Sequence, residues 1–233
     1  METLKGTLYG VSVGPGDPEL LTLKAMRIIR RCLVIAAPQT KSGEMLALEI
    51  ARQAVDLSCK AIVPLHFTMS RQESERRKAH EAAAETLRGY LDAGQDVAML
   101  NLGDVSVYAT FGYLQAILEE QGYRTAMVAG VPSFCAVAAR LNRPLTGGMD
   151  TPLTIAPGSI ELEEILATPG SKVLMKSGRQ LPRVLDALEQ ADLLDKSALV
   201  CNCGLPEEQV WDNLTETRPE ENAGYFATIL VNK

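Results

Sequence analysis

The chain has 233 residues, 46% apolar and 22% charged, which suits one large or two small globular domains and argues against disorder. Its formal net charge of −6 lacks the basic surplus that a nucleic-acid partner calls for, while a few local cations could still hold a small anion. Apolar runs stay short of the roughly 18 residues of a membrane helix. The first five residues lead straight into a strand pattern, so a cytoplasmic protein without a signal peptide or membrane partner is expected.

In chain order, residues 7–13 read as a strand and 22–31 as a helix with Leu23, Met26 and Ile29 on one side. Residues 33–37 and 61–64 read as short strands. Residues 70–93 form a long helical pattern, with Ala79, Ala83, Leu87 and Leu91 at four-residue steps and Gly94 as its stop. Residues 96–102 are a buried-looking strand, 111–120 a helix and 125–129 a further strand. Such alternation implies a largely parallel sheet with helices on its faces.

Around residues 130–133 the character changes. Ser133 can cap a helix over 134–141, after which Pro144, Gly147, Gly148, Pro152, Pro157 and Gly158 crowd the chain. A strand at 153–156, a helix at 160–166, a strand at 172–176 and a helix opened by Pro182 follow. The strands at 198–201 and 225–231 have no clear helix between them and could pair antiparallel. The fold expected is α/β in two domains: 1–129 with a mostly parallel sheet, and 134–233 with a mixed one.

Three loops invite a function. The turn Gly14-Pro15-Gly16-Asp17-Pro18-Glu19 lies between a strand and a helix. It has Glu19 where a dinucleotide fingerprint wants its third glycine, and no Gly-Lys-Ser/Thr follows. Asp17 and Glu19 would repel a phosphate at the helix start, so the plain alternative is a tight turn stiffened by two prolines. In "NLGDVSVYATF" (101–111), Gly103 allows close backbone approach and Asp104 is a lone carboxylate at a strand's carboxyl end. Open α/β sheets bind ligands there; the plain alternative is an Asp that caps the next helix. "VAGVPSF" (128–134) is a third such turn.

His80, within the long helix, reads as a surface residue, while His66, in a loop after a strand, could touch a ligand. No Gly-x-Ser-x-Gly elbow or His-Glu-x-x-His pattern supports a hydrolase. Cysteines number five; Cys201 and Cys203 form a single Cys-x-Cys pair, and no metal site or disulfide framework is expected.

Taken in order, these pieces resemble one family. "VSVGPGDPELLT" (11–22), "NLGDVSVY" (101–108) and "GVPS" (130–133) are similar to the three signatures of the tetrapyrrole (corrin/porphyrin) methylases, with "VLMK" (173–176) and "YFATI" (225–229) extending the likeness. "APQTKSGE" (37–44) and the particular motif variants are most similar to the C(20)-methyltransferases acting on precorrin-2 or cobalt-factor II. Leu102 stands where uroporphyrinogen methyltransferases usually have a second glycine.

The resemblance implies a class III methyltransferase fold: two α/β domains with a ligand cleft between them, in a homodimer. It implies S-adenosyl-L-methionine as donor, S-adenosyl-L-homocysteine as product, and a carboxylate-rich tetrapyrrole in cobalamin biosynthesis as acceptor. Donor contacts would come from Gly103, Asp104, Val105, Tyr108, Pro132, Ser133, Met175, Lys176, Ala227 and Thr228. Gly14, Pro15, Gly16 and Asp17 would face the macrocycle. Lys41, His66, Arg71 and Arg179 are the further candidates for its binding, and Asp104 for accepting the proton that leaves C-20. Another tetrapyrrole step such as uroporphyrinogen III methylation, a same-fold methyltransferase on protein or rRNA, and a non-catalytic tetrapyrrole carrier stay open as alternatives.

Overall fold

The computed structural model describes residues 4–232 apart from 69, 71, 217, 218 and 220–225, and Arg179 by its backbone only. The chain divides into two compact units, Met1–Pro132 and Ser133–Lys233.

The first unit runs β1 (Thr7–Ser12), α1 (Leu23–Arg31), β2 (Val34–Gln39), α2 (Leu46–Ala54), β3 (Ala61–His66), α3 (Glu73–Asp92), β4 (Val97–Asn101), α4 (Phe111–Glu120) and β5 (Arg124–Val128). Its five strands are parallel, in the order β3-β2-β4-β1-β5. β4 is buried at every position, as a strand covered on both faces must be. Val97 and Met99 join Leu8, Val34 and Ala36 beneath α3 and α4, whose Ala83, Leu87, Leu91, Phe111, Leu114 and Leu118 close that face. The alternate residues Ile35, Ala98 and Leu100 are equally buried and point the other way, where α1 and α2 pack. The stripe expected on the long helix holds, with Ala79 only half-buried at its start.

The strand order has a functional consequence. From β1 the chain crosses β4 to reach β2; from β4 it crosses β1 to reach β5. The loops after β1 and β4 therefore leave in opposite directions, which makes the carboxyl ends of these neighbours the switch point of the sheet.

The second unit runs α5 (Ser133–Arg140), β6 (Leu153–Pro157), α6 (Glu163–Ala167), β7 (Ser171–Met175), α7 (Leu181–Gln190), β8 (Ser197–Cys201), β9 (Gln209–Trp211) and β10 (Ala227–Val231). The sheet order is β6-β7-β10-β8-β9. β6 and β7 are parallel, and β10 is antiparallel to both its neighbours, including β8 as expected. Leu174, Leu199, Ala227, Ile229 and Val231 pack with Leu166 of α6 and Leu181, Val184, Leu185 and Leu188 of α7.

Two elements go beyond the sequence reading: α2, and the short β9 paired antiparallel to β8. The strand expected at 172–176 stops at Met175, because Lys176 turns to φ +54. The expected start of the last strand, Tyr225, lies outside the described residues. No helix among the described residues is long and apolar enough to cross a membrane.

Candidate functional site

At the switch point the first two motif loops are joined through their backbones. Gly14 N–H donates to Gly103 O at 3.3 Å, Gly103 N–H donates to Gly14 O at 2.7 Å, and Val13 N–H donates to Asn101 O at 2.9 Å. Gly103 sits at φ +72, a left-handed conformation that an L side chain rarely adopts. Asn101, only 4% exposed, donates its side-chain amide to Met99 O.

Asp104 ties in the third motif. Its Oδ2 accepts from Gly130 N–H at 2.7 Å, and its Oδ1 accepts from Ser106 N–H at 2.8 Å and from the Ser106 hydroxyl at 2.5 Å. Ser12, fully buried in β1, accepts from Val105 N–H at 2.9 Å, and its hydroxyl also stabilises the Asp104 carboxylate. Gly130 has to be a glycine here: a Cβ would stand 2.3 Å from Ser12 Cβ. Thr22, which caps α1 by accepting from Ala25 N–H, donates from Oγ1 to Ala129 O at 3.3 Å. Residues 12–22, 101–106 and 129–130 thus form one interlocked knot.

This geometry bears on the reading of Asp104 as proton acceptor. Burial would raise its pKa, but hydrogen bonds from Gly130, Ser106 and Ser12 outweigh that and hold the carboxyl below the usual aspartate range. Hydrogen bonds to both oxygens favour the ionised form and weaken the carboxylate as a base. Ser12 escaped the sequence reading. Its one available signal was a polar residue among Val11, Val13 and the buried run of β1.

The other expected residues scatter in character. Gly14, Pro15 and Gly16 are buried, while Asp17 is half-buried and spends Oδ1 on Glu19 N–H at 2.8 Å, capping the turn Pro18–Leu20. Tyr108 is 44% exposed with φ +49, so the loop after the knot offers an aromatic face. Val105 is buried. Lys41 is exposed at the tip of a turn after β2, in which Gln39 donates to Gly43 O and Thr40 pairs with Ser42. His66, also exposed, ends β3 beside Gln39. Lys41 and His66 thus share the carboxyl edge of the sheet with the knot. Arg71 lies outside the described residues, and Arg179 is placed only by its backbone, in the turn Gly178–Gln180. His80 is half-buried, not a free surface residue: its ring stacks on Tyr113 with centroids 4.6 Å apart.

In the second unit, Ser133 Oγ and Thr228 Oγ1 lie 3.5 Å apart, which brings the start of α5 against β10. Pro132 and Ser133 are half-buried; Met175, Ala227 and Thr228 are buried. Lys176 is exposed at the carboxyl end of β7. No cluster of three or more metal-ligating side chains occurs among the described residues.

The family described as Tetrapyrrole (Corrin/Porphyrin) Methylases matches residues 7–217. The cobalt-precorrin-2 C(20)-methyltransferase of Salmonella typhimurium is 34% identical over 239 residues, covering 99% of this chain and 98% of that protein. The precorrin-2 C(20)-methyltransferase of a Sinorhizobium species is 30% identical, covering 97% and 95%. Among solved structures, the uroporphyrin-III C-methyltransferase of Thermus thermophilus complexed with S-adenosyl homocysteine shares the fold, with a TM-score of 0.69, 20% identity and 97% of each chain covered.

Proposed function

Because the chain belongs to the tetrapyrrole methylases, we propose that it transfers a methyl group from S-adenosylmethionine to C-20 of precorrin-2 or its cobalt-containing counterpart, a step of cobalamin biosynthesis. The observation that carries this reading is the near full-length likeness to C(20)-methyltransferases, set beside the knot that joins the three motif loops.

The residues present fit the donor. The exposed Tyr108 ring gives a surface for a flat adenine beside the knot. When bound, S-adenosylmethionine supplies a methyl group already activated on a sulfonium. What remains for the protein is orientation and exclusion of water, which the hydrogen-bonded knot serves by holding its loops fixed. In the first unit we assign donor contacts to Gly103, Val105, Tyr108 and Pro132, with Asp104 positioning them. In the second we assign them to Ser133, Ala227, Thr228 and the backbone of Met175–Lys176. Asp17, Lys41 and His66 are assigned to the acceptor. We further propose a cytoplasmic homodimer; a sedimentation mass near that of one 25.2 kDa chain would rule the dimer out.

The test is direct. Calorimetry should show S-adenosylmethionine and S-adenosylhomocysteine binding at micromolar level, about 8 kcal/mol. Incubation with the donor and precorrin-2 should add one methyl group, read by mass. Binding of the tetrapyrrole without methylation would make the protein a carrier, and methylation of uroporphyrinogen III instead would move it to another step.

A further inference from the structure

The first sheet carries the knot at its carboxyl edge and a cleft of about 390 Å³ at its amino edge. The cleft is lined by the residues that lead into β1, β2 and β4, together with Arg124 at the start of β5. These strands are parallel, so all four starts lie on the edge opposite the motif loops. None of the contacts assigned above to donor or acceptor falls there. A cavity of this size suits a small molecule.

Three cations and one carboxylate line it: Lys5, Arg31, Arg124 and Asp96. The carboxylate is already spent. Its Oδ1 accepts from Thr7 N–H at 2.8 Å, and its Oδ2 pairs with Arg31 at 3.2 Å. The cations are held from the protein side. The Arg31 guanidinium lies 4.8 Å from the centre of the Tyr9 ring, and Lys5 Nζ lies 3.9 Å from that of Tyr123. Tyr123 is anchored in turn, its hydroxyl donating to Asp92 at 2.8 Å. Arg124 donates to Lys5 O at 3.2 Å. A guanidinium has five N–H donors, so these bonds leave others for a ligand. Like charges gathered in one cleft repel, and an anion between them relieves that repulsion. Leu4 and Leu33 stand exposed on the same cleft, apolar surface that a ligand's carbon skeleton would cover.

We propose that this cleft binds a small organic anion bearing two or more phosphate or carboxylate groups. The oxygens of such groups match the forked donors of Arg31 and Arg124, and Lys5 adds a third positive charge. The carbon skeleton lies against Leu4 and Leu33. The site stands apart from methyl transfer, and its assignment does not rest on that activity.

The probes are citrate and fructose 1,6-bisphosphate, with acetate as a singly charged control at equal ionic strength. Calorimetry should show one or both of the first two binding below about 1 mM, and acetate not binding in that range. Citrate alone would identify a polycarboxylate ligand and the bisphosphate alone a phosphate ligand; either supports the site. Arg31→Gln and Arg124→Gln should each weaken binding by about 10-fold or more. Lys24→Gln and Lys41→Gln, which remove exposed cations away from the cleft, should leave it unchanged. Should Arg31→Gln fail to fold, Lys5→Gln takes its place, since Lys5 is exposed. A second readout locates the anion. Phenylglyoxal, followed by peptide mass, should modify Arg31 and Arg124 more slowly in its presence, with the exposed Arg77 of α3 as an unaffected reference.

Failure of both probes to bind would overturn the proposal. Equal losses of affinity in Lys41→Gln and Arg124→Gln would overturn it in favour of a general attraction to the protein's cations. Binding that leaves Arg31 and Arg124 as reactive as before would place the anion elsewhere and overturn it too. None of these readouts requires methyl transfer, so their failure and that of the methyltransferase reading are separate outcomes.

Discussion

Asp104 shows how a single side chain acquires its role from its partners. Read along the chain it is a carboxylate at a strand end, and that position suits a base or a cap equally. In space it accepts from two backbone N–H groups and the Ser106 hydroxyl, and the Ser12 hydroxyl adds to its stabilisation. Asp104→Asn should therefore act through geometry. An amide must turn its NH2 toward either Gly130 N–H or the Ser106 donors, leaving donors facing donors in a site only 8% exposed. The expected cost is about 1–3 kcal/mol. Donor affinity and turnover should fall together; a loss confined to turnover would restore the base assignment. The pH dependence follows from the depressed pKa. The carboxylate's contribution is present above the unfolded-state pKa and is lost as the pH falls through the folded one. The difference in melting temperature between wild type and Asp104→Asn should thus be full at neutral pH and shrink from about pH 4 downward. The motif residues themselves were legible because their types are unusual for a strand end. Their hydrogen bonds were not, since Ser12 and Gly130 lie 118 positions apart and meet only through the fold.

At the scale of elements, the sequence was most readable where periodicity was strong and ends were marked. β4 has five buried residues in a row, and α4 begins and ends where its pattern does. α2 was missed for an identifiable reason. It has no side-chain cap, and it follows a loop of Thr40, Ser42 and Gly43 that reads as irregular. Its signal lay further in: Ala47, Leu48, Ile50 and Ala51 are all buried, at the three- and four-residue spacings of one helix face. β9 spans only three residues, one exposed and two half-buried, too few for any alternation to register. If α2 carries a real share of the first unit's core, Ile50→Ala should cost about 2–5 kcal/mol. Truncating Gln53, exposed on the same helix, should cost under about 0.5 kcal/mol. Urea titrations of both variants test this; equal effects would mean that α2 is a loosely attached surface helix.

The whole chain contains two sheets of different construction, and its dynamics should reflect them. The first sheet is all parallel, its order forced by crossovers through helices on both faces; the second is mixed, with β10 inserted between β7 and β8. The α/β class was legible because strand and helix patterns alternate through residue 129. The antiparallel place of β10 followed from the missing helix before it, but its central position did not, because nothing local in residues 227–231 says which strands it will separate. That position has a measurable consequence. β10 is buried at all five residues and has a hydrogen-bonded neighbour on each side, as has β4 in the first sheet. Amides there open only when most of the surrounding unit opens, whereas strands at a sheet edge exchange through local fluctuations. Native-state hydrogen exchange should therefore be slowest in 97–101 and 227–231, and faster by orders of magnitude in β9 and β5 at the sheet edges. Adding S-adenosylmethionine at about 100 times its dissociation constant should deepen protection by up to roughly 2.7 kcal/mol wherever exchange requires opening of the binding-competent state. Amides of 103–106 and 130 should respond most among the loops, because the knot they form closes on itself through Asp104. Unchanged exchange in those loops on donor binding, with protection gained elsewhere, would place the donor away from the three motifs and refute the contact assignments made for them.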